Sequence, residues 1–469
     1  MFTKHKKEIL IAIGLIVTYL LTRLINLTIL PIFTDEAIYL RWSQIMATDA
    51  ALRFLPLTDG KPPLFFWLMM VPIKLLSGFD ILYAGRLTSV LSGLLGLSGV
   101  AFTAWTLFKS RKISLLASLF YLLSPFTFVY DRMAMADSLL AGLFIWAMGL
   151  SIMLVKTARL DVALLLGIVS GLGLLTKTPA IFVFILFPVL FLLRPNKLIK
   201  TGLLVLLSFG LAEMFFSILR LFPLFNMIAS KNGEFTIGLT EFLKQPFGLT
   251  WGNLKSLLYW EYFYLTIPVT ILIFYAVYKS LRKNFFEIII LASYFLLPTI
   301  AMATFNKVIY PRFLLMFTLP LFIIAAYGLS FLKKIFYLPV FLIAVGTIFM
   351  LIVNPVQAPL LQADRNQYID GWAAGYGITE IRQYLKDKSG TLATEGTFGL
   401  MPFSLELYQK EFPNVEIKPY WPLPEKLPPE TDYLIVYQRH DYPKDYKLRE
   451  ILRFRQGNSN DYLRLYKVL

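Results

Sequence analysis

Residues 33–46, FTDEAIYLRWSQIM, directly follow a long apolar run. The architecture can be inferred from this stretch because it marks where the chain leaves an apolar segment. That run, residues 9–30, is long enough to cross a bilayer as a helix. The stretch after it places two adjacent carboxylates, Asp35 and Glu36, where the chain is expected to leave the membrane. With Thr34 as N-cap, a new helix would hold both acids in its first turn, where the helix dipole stabilises anions.

The helix that follows Thr34 also has an apolar face. Ile38, Trp42 and Ile45 recur at helical spacing, so we expect this face to lie on the bilayer surface with Trp42 at headgroup depth. A second segment of the same loop, GKPPLFFWLMMVPIKLL at 60–76, is too short and too interrupted by proline for a confident span and is also expected in the interface. The simpler alternative for the two acids is that they are only favourable first-turn charges.

Composition assigns the chain to the integral membrane proteins. Of its 469 residues, 57% are hydrophobic, which is far too apolar for a soluble globular protein. We predict a mostly α-helical, polytopic bundle of about eleven transmembrane helices. The first outer loop, 31–80, carries the candidate catalytic residues. The predicted spans are residues 9–30, 81–108, 113–130, 138–155, 161–176, 179–193, 199–222, 256–278, 285–304, 311–330 and 336–353.

Positive charge orients this bundle. Lysines and arginines recur on every second loop, and the positive-inside rule places those loops in the cytoplasm. The amino terminus is then cytoplasmic and the carboxyl-terminal domain extracytoplasmic, in the inner or plasma membrane. The formal net charge of +16 does not indicate nucleic acid binding, because it is spread over short loops beside apolar helices, where it suits topology and anionic lipid. The clusters are Lys4/Lys6/Lys7, Lys109/Arg111/Lys112, Lys156/Arg159, Arg194/Lys197/Lys200, Lys279/Arg282/Lys283 and Lys333/Lys334.

The composition changes after residue 355, which separates a transmembrane domain, 1–355, from a soluble domain, 356–469. In the soluble domain, Thr379 is the expected cap of a short helix, and the segments TDYLIVYQ and DYLRLYKVL are predicted strands. This pattern predicts a small α/β domain. Three of its aromatic residues could form platforms for a sugar or peptide acceptor, but packing on the bundle is favoured because aromatics are common near membrane interfaces. They are Tyr368, Trp372 and Tyr376.

Candidate substrate-binding residues recur where other spans meet the outer side. The segment DRMAMAD ends in Asp137 at the entrance of a span, where a carboxylate is costly unless it is paired or lines a wet cavity. Its structural alternative is a salt bridge with Arg132. Each cation, taken alone, could simply reach the lipid headgroups. The full set is Arg132, Asp137, Lys177 in LTKTP, and Lys307, Tyr310 and Arg312 in NKVIYPRF.

This combination of acids and cations suits the transfer of a sugar from a lipid-linked phosphate. The reaction needs a base that takes the proton of an acceptor hydroxyl as it attacks C1 of the sugar. It also needs cations that stabilise the departing phosphate in a poorly hydrated site. The lipid tail needs a groove at bilayer depth, which explains why the acids would lie on an interfacial helix.

The motifs resemble a known family. TDEAIY after the first span, GKPPLFFWL in the same loop, and then RMAMAD, LTKTP and YPRFLL are similar, in this order, to membrane glycosyltransferases of the GT-C superfamily. These include protein O-mannosyltransferases and the aminoarabinose transferases that modify lipid A. The resemblance implies an inverting transferase that uses a polyprenyl-phosphate sugar. It implies that Asp35 is the base or positions the acceptor, and that Lys61 and Arg312 lie near the donor phosphate.

The chain departs from the lipid A transferases at two positions. Ile38 stands where they often carry a basic residue, and Gly60 precedes the KPP segment where they often have an acid. No cofactor is assigned, although a hard divalent cation on Asp35 or Glu36 is left open. Zinc is not expected, because cysteine is absent and the two histidines lie far from the site in sequence. They are His5, in the cytoplasmic tail, and His440, which with Asp441 forms an expected surface pair.

Two other functions remain as alternatives to sugar transfer. The acceptor of a transferase would be a cell-envelope glycolipid or polysaccharide, or a protein hydroxyl. A transporter or flippase for lipid-linked sugars would carry charged residues in broken helices at mid-bilayer depth and an inverted repeat, and we find no such repeat. A non-catalytic protein that only binds lipid-linked sugars would keep the same motifs.

Overall fold

The computed structural model describes residues 6–437 and 446–469 and is mostly helical. His5, His440 and Asp441 lie outside the described residues. The helices are α1 Lys6–Leu24, α2 Thr34–Thr48, α3 Leu64–Leu75, α4 Ile81–Phe108, α5 Arg111–Leu123, α6 Pro125–Tyr130, α7 Asp137–Thr157, α8 Leu160–Thr176, α9 Phe182–Ile185, α10 Leu198–Ser217, α11 Met227–Phe235, α12 Leu239–Lys244, α13 Thr250–Leu265, α14 Ile267–Ser280, α15 Phe285–Phe305, α16 Leu315–Leu329, α17 Tyr337–Val353, α18 Gln362–Tyr368, α19 Ile378–Leu385 and α20 Leu400–Glu406.

Short 3-10 helices join or extend several of these elements. In a 3-10 helix the side chains at i and i+3 are eclipsed, so such helices are mostly short connecting pieces. The 3-10 helices are Ala50–Leu52, Leu55–Asp59, Thr178–Ile181, Phe187–Leu193, Ile218–Leu221, Pro223–Asn226, Pro311–Leu314, Lys334–Phe336 and Gln409–Glu411.

Six helical segments of the described chain are long and apolar enough to cross a membrane. The pair α13 and α14 would be a seventh span, but the two helices are bent by 102° at their junction. The predicted span 256–278 therefore corresponds to a bent pair of helices rather than to one continuous helix. Other predicted spans correspond to shorter apolar helices, so the count of about eleven is not confirmed. The six segments are Ile81–Phe108, Asp137–Thr157, Leu198–Leu221, Phe285–Phe305, Pro311–Leu329 and Lys334–Val353.

The carboxyl-terminal strands form one mixed sheet in the order β2-β1-β3-β5-β4. β2 and β3 pair with β1 in parallel, whereas β5 pairs with β3 and β4 antiparallel. The predicted small α/β domain and its two predicted strands are confirmed. The predicted helix is also present, although its N-cap is Gly377 rather than Thr379. The strands are β1 Gly390–Glu395, β2 Val415–Tyr420, β3 Thr431–Tyr437, β4 Leu448–Arg455 and β5 Tyr462–Val468.

The chain forms two compact units. We call them the bundle unit and the sheet unit. The sheet unit contains the carboxyl-terminal sheet and also two segments of the predicted first outer loop, which the sequence had placed in the transmembrane domain. The bundle unit consists of residues 6–25, 53–68 and 86–349, and the sheet unit of 26–52, 69–85, 350–437 and 446–469.

Candidate active site

One group of charged side chains in the bundle unit surrounds Asp59, at the end of the 3-10 helix that precedes the KPP segment. Lys61 forms a salt bridge with Asp59, and the Lys231 ammonium of α11 lies 2.8 Å from the other carboxylate oxygen. Lys231 also pairs with Glu234 at 2.9 Å. Burial favours the neutral acid, but the two lysines outweigh it and lower the pKa of Asp59. The carboxylate is therefore held ionised between two cations.

Gly60 allows this close approach. Its φ of +62° lies in the left-handed region, and a Cβ built on it would lie 2.3 Å from the Met227 carbonyl oxygen and 2.6 Å from Lys231 Cβ. The loop and the first turn of α11 thus touch backbone to backbone. Position 60 itself carries no acid, but Asp59 stands one residue earlier.

We expect Gly60→Ala to destabilise the protein by more than the roughly 1–2 kcal/mol that a left-handed conformation costs a non-glycine residue, because the methyl group also collides with backbone. The measurement is thermal unfolding of the purified protein. Gly233→Ala is the matched control in α11, since nothing lies within 4 Å of its added Cβ. That control should be neutral or slightly stabilising, since alanine favours a helix interior. Equal unfolding temperatures for the two variants would contradict the close packing of this loop.

A second ion pair lies between the start of α7 and the end of α8. The Lys177 ammonium is 2.8 Å from Asp137 Oδ1, and the Asp137 side chain is only 7% exposed. The alternative pairing of Asp137 with Arg132 is therefore wrong. Arg132 instead donates to the carbonyl oxygens of Thr22 and Ile25, at 3.1 and 2.8 Å. These contacts at the end of α1 favour a structural role for Arg132 over substrate binding.

Asp131, the residue before Arg132, also contacts α1 and neighbouring helices. It is fully buried and accepts hydrogen bonds from Tyr19, Tyr121 and Ser138 at 2.8–3.1 Å, while Arg23 lies 3.8 Å away. A buried carboxylate with this many donors fixes the helices around it. The first acid of DRMAMAD therefore holds the bundle together, and only the last one, Asp137, joins the charged site.

Phe313 connects the two groups of charges. Its ring centre lies 5.5 Å from the Lys177 ammonium, 5.9 Å from the Arg312 guanidinium and 6.3 Å from the ring centre of Phe235. Phe235 in turn lies 5.9 Å from the Lys231 ammonium. Arg312 also lies over Tyr310, 4.6 Å from the ring centre. We call this group the cation cluster; it comprises Lys61, Lys177, Lys231 and Arg312, the acids Asp59 and Asp137, and the rings of Phe235, Tyr310 and Phe313.

Lys307 lies beside the cation cluster but has a weaker claim to a role. Its backbone nitrogen donates to the Phe235 carbonyl oxygen at 2.8 Å, which joins the chain before α16 to the end of α11. Its ammonium pairs with Glu241 at 2.9 Å, and both side chains are well exposed, 41% and 57%. Exposed pairs of this kind contribute about 0–1 kcal/mol to stability. Lys307 therefore stays a predicted substrate-binding residue with a solvated partner.

Asp35 and Glu36 belong to the sheet unit and differ in environment. Glu36 is fully buried, and its carboxylate accepts a hydrogen bond of 3.0 Å from the Phe33 nitrogen. The N-cap of α2 is thus Phe33, not Thr34 as predicted, and Glu36 supplies half of a capping box. This contact favours a structural role for Glu36. Asp35 is partly exposed in the same turn, where an acid can meet a substrate.

The amino-terminal turn of α2 is fixed by the carboxyl-terminal part of the chain. Thr34 donates through its nitrogen and its hydroxyl to the Ala373 carbonyl oxygen, at 3.0 and 3.1 Å. The Phe33 ring packs edge-on against Tyr368 at 4.8 Å. Trp42 is buried and its ring centre lies 5.8 Å from that of Phe398, so the expectation that this face of α2 lies on the bilayer is wrong.

Within the described residues, no three His, Cys, Asp or Glu side chains converge as metal ligands would. Asp59 is the acid that lies closest to the KPP segment in the first loop, but Lys61 and Lys231 already pair with it. Such a donor set does not suit a divalent cation. We therefore do not assign Asp59 as a metal ligand.

Sequence reasoning missed Asp59 and Lys231 as members of the site. Lys231 lies in α11, whose sequence MIASKNGEF carries no motif that distinguishes it from a solvated helix. The sequence could have predicted the pairing of Asp59 with Lys61, since an acid two residues before a lysine can pair with it in a tight turn. The backbone at Gly60 then brings both next to α11.

Comparison with known proteins places this arrangement in context. The sequence model of the family described as dolichyl-phosphate-mannose-protein mannosyltransferase matches residues 60–219, about a third of the chain. That region includes Lys61, Asp137 and Lys177. No curated protein sequence is significantly similar to the chain.

Solved structures are similar over nearly the whole chain. Apo ArnT from Cupriavidus metallidurans aligns with a TM-score of 0.59 and 15% identity, covering 98% of this chain and 97% of that one. The apo oligosaccharyltransferase of Archaeoglobus fulgidus aligns with a TM-score of 0.55 and 11% identity, covering 92% and 69%. At these identities the likeness concerns the fold. The predicted GT-C fold, a helical membrane domain with a small α/β domain, is confirmed.

Proposed function

Starting from the GT-C fold, we propose that this protein is an inverting glycosyltransferase. It moves one sugar from a polyprenyl-phosphate donor to a hydroxyl of a cell-envelope glycolipid, a polysaccharide or a protein, at the outer face of the inner or plasma membrane. The observation that carries the proposal is the cation cluster. Lys177 and Arg312 lie against Phe313, whose ring neighbours Phe235 and Lys231, and Lys231 shares Asp59 with Lys61. Two of the cluster's four cations, Lys61 and Lys177, lie in the region similar to the mannosyltransferase family.

The cation cluster is suited to a phosphate group. Lys61 and Lys231 share Asp59, and Lys177 is held by Asp137, so the ammonium groups are positioned before a ligand arrives. Phosphate oxygens can then accept hydrogen bonds from these lysines. Arg312 offers a planar fork that can bind two phosphate oxygens at once. Such preorganised charge stabilises the negative charge that grows on the leaving phosphate.

The chemistry is a single displacement at the anomeric carbon. The acceptor oxygen attacks C1, the bond between C1 and the phosphate oxygen breaks, and its electron pair leaves with polyprenyl phosphate. The acceptor proton passes to the Asp35 carboxylate, which later releases it to water. A single displacement inverts the configuration at C1. Glu36 supports the turn that carries Asp35.

The test is release of free polyprenyl phosphate. Purified protein is mixed with each of a panel of polyprenyl-phosphate sugars, including the mannosyl, glucosyl and arabinosyl forms, with a crude envelope extract as acceptor. We expect turnover of one donor and incorporation of its sugar into the extract. If no donor is consumed by protein that is folded and binds the lipid, the transferase proposal fails.

One observation favours transport instead. In the bent pair of α13 and α14, Glu261 is buried and accepts a hydrogen bond of 2.8 Å from Thr318. A broken helix with a buried acid is a feature of transporters. Liposomes with a fluorescent polyprenyl-phosphate sugar separate the two functions, because a flippase moves the label between leaflets without breaking the sugar–phosphate bond, whereas a transferase releases the sugar only when an acceptor is present.

A further inference from the structure

A cavity of about 330 Å³ opens in the sheet unit, at one end of the strands of the sheet. Glu395 is the last residue of β1, Tyr437 is the last of β3, and Trp421 directly follows β2. These strands are parallel neighbours, so the cavity lies at their carboxyl ends. Open α/β sheets bind ligands at the carboxyl ends of their strands, and the volume of this cavity falls within the range of small-molecule sites.

Aromatic side chains line the mouth of the cavity. Trp372, Phe398 and Trp421 border it and are 42%, 50% and 58% exposed. Large aromatic rings expose apolar area to water, and a group of them around a cavity marks a binding surface. Of the aromatic residues that the sequence analysis favoured as packing residues, Tyr368 is buried, whereas Trp372 is partly exposed at this cavity.

Glu395 and Tyr437 also line the cavity. Glu395 is 6% exposed, and its carboxylate accepts a hydrogen bond of 3.0 Å from the Tyr437 nitrogen. The Tyr437 hydroxyl is buried and has no hydrogen-bond partner among residues 6–437 and 446–469. Burial, together with the Glu395 charge, raises the pKa of Tyr437, so the hydroxyl keeps its proton. A buried hydroxyl without a partner is unfavourable, and a ligand that accepts its hydrogen bond would relieve this.

The cavity adjoins the turn that carries Asp35. Phe398 contacts Trp42 of α2, with ring centres 5.8 Å apart. At Gly399, whose φ is +103°, an added Cβ would lie 3.0 Å from the Thr34 methyl group. The loop that forms one wall of the cavity is thus in contact with the first turn of α2. A ligand in the cavity would therefore lie near the helix that carries the residue proposed as the base.

We propose that this cavity binds a sugar residue of the acceptor, so that the acceptor of this enzyme is a saccharide. This inference rests on the proposed transferase function. A pyranose ring has an apolar C–H face that can stack on an indole ring, and hydroxyl groups that can donate to Glu395 and accept from Tyr437. A lipid tail would leave the Tyr437 hydroxyl without a hydrogen-bond acceptor among the described residues. An extended peptide needs a groove and main-chain partners rather than one compact cavity.

Binding is tested on the full-length protein in nanodiscs, because maltoside detergents would themselves supply a sugar. The probes are mannotriose, maltotriose and chitotriose, with a Ser/Thr-rich peptide as the protein-type acceptor, followed by saturation-transfer NMR and titration. No donor is present, so the measurement does not depend on turnover. We expect at least one trisaccharide to bind, and Trp372→Ala or Trp421→Ala to weaken it about tenfold or more, equivalent to about 1.4 kcal/mol.

Tyr437→Phe is the most specific variant, because it removes only the hydroxyl that has no described partner. We expect weaker saccharide binding with an unchanged or raised unfolding temperature. Trp251→Ala, which removes an exposed tryptophan of the bundle unit, should leave binding unchanged. The proposal is overturned if no trisaccharide binds, if the three cavity variants bind as the wild type does, or if only the peptide binds. Saccharide binding without donor turnover would instead count against the transferase function alone.

Discussion

Asp35→Asn is expected to lower kcat for sugar transfer by about 10²–10⁴, the usual contribution of a general base. The substitution keeps the shape of the side chain and removes its ability to take the acceptor proton. Loss of a first-turn charge costs only about 0.3–1 kcal/mol of stability, so the protein should still fold. Donor binding, measured by equilibrium titration with a polyprenyl-phosphate sugar, should stay close to that of the wild type.

The kinetic pattern distinguishes the two roles left open for Asp35. A base acts in the transition state, so its loss lowers kcat and leaves the acceptor KM nearly unchanged, whereas loss of a positioning group mainly raises that KM. Asp49→Asn is the matched control, because Asp49 is an exposed acid at the carboxyl end of the same helix. Full activity in Asp35→Asn would exclude both roles.

Several residues proposed for the site could be singled out from sequence, but their contacts in the structure could not be predicted. Lys61, Lys177 and Arg312 were singled out because short motifs surround them. Asp137 was also found, but its partner was not, since Lys177 lies 40 positions later and only the packing of α7 on α8 brings them together. Lys231 carries no motif at all. Residues that act by long-range contact leave no local pattern in one sequence.

The fold shows the same division between local and long-range information. Apolar length found the straight spans and alternation found two of the five strands. The bend between α13 and α14 was missed because hydropathy is insensitive to direction, although Pro268 after Thr266 signals a new helix start. For α2, the periodic apolar face was correct, but hydrophobicity cannot tell whether lipid or a protein partner covers it. Here, Trp42 meets Phe398.

Arg312→Gln is expected to reduce kcat/KM for the donor by about 10²–10³, comparable to the loss of one preorganised hydrogen-bond donor to a developing anion. Arg312 lies over Tyr310 and near Phe313, which restricts its rotamers and lowers the entropy lost when phosphate binds. Arg312→Lys keeps the charge but not the planar fork, so its activity should lie between the wild type and Arg312→Gln. Steady-state rates over a range of donor concentrations measure both effects.

A control variant is needed to decide whether the reduced kcat/KM of Arg312→Gln comes from lost phosphate binding or from disturbed packing. Arg220→Gln is suitable, because Arg220 lies over Phe225 at 5.2 Å in the same unit and is 59% exposed. It removes a similar cation–ring contact outside the cation cluster, so donor kinetics should not change. If Arg312 binds the donor phosphate, Arg312→Gln also weakens equilibrium binding of free polyprenyl phosphate, which has no sugar. Normal affinity for that lipid, combined with a lowered unfolding temperature, would show that Arg312 only supports the start of α16.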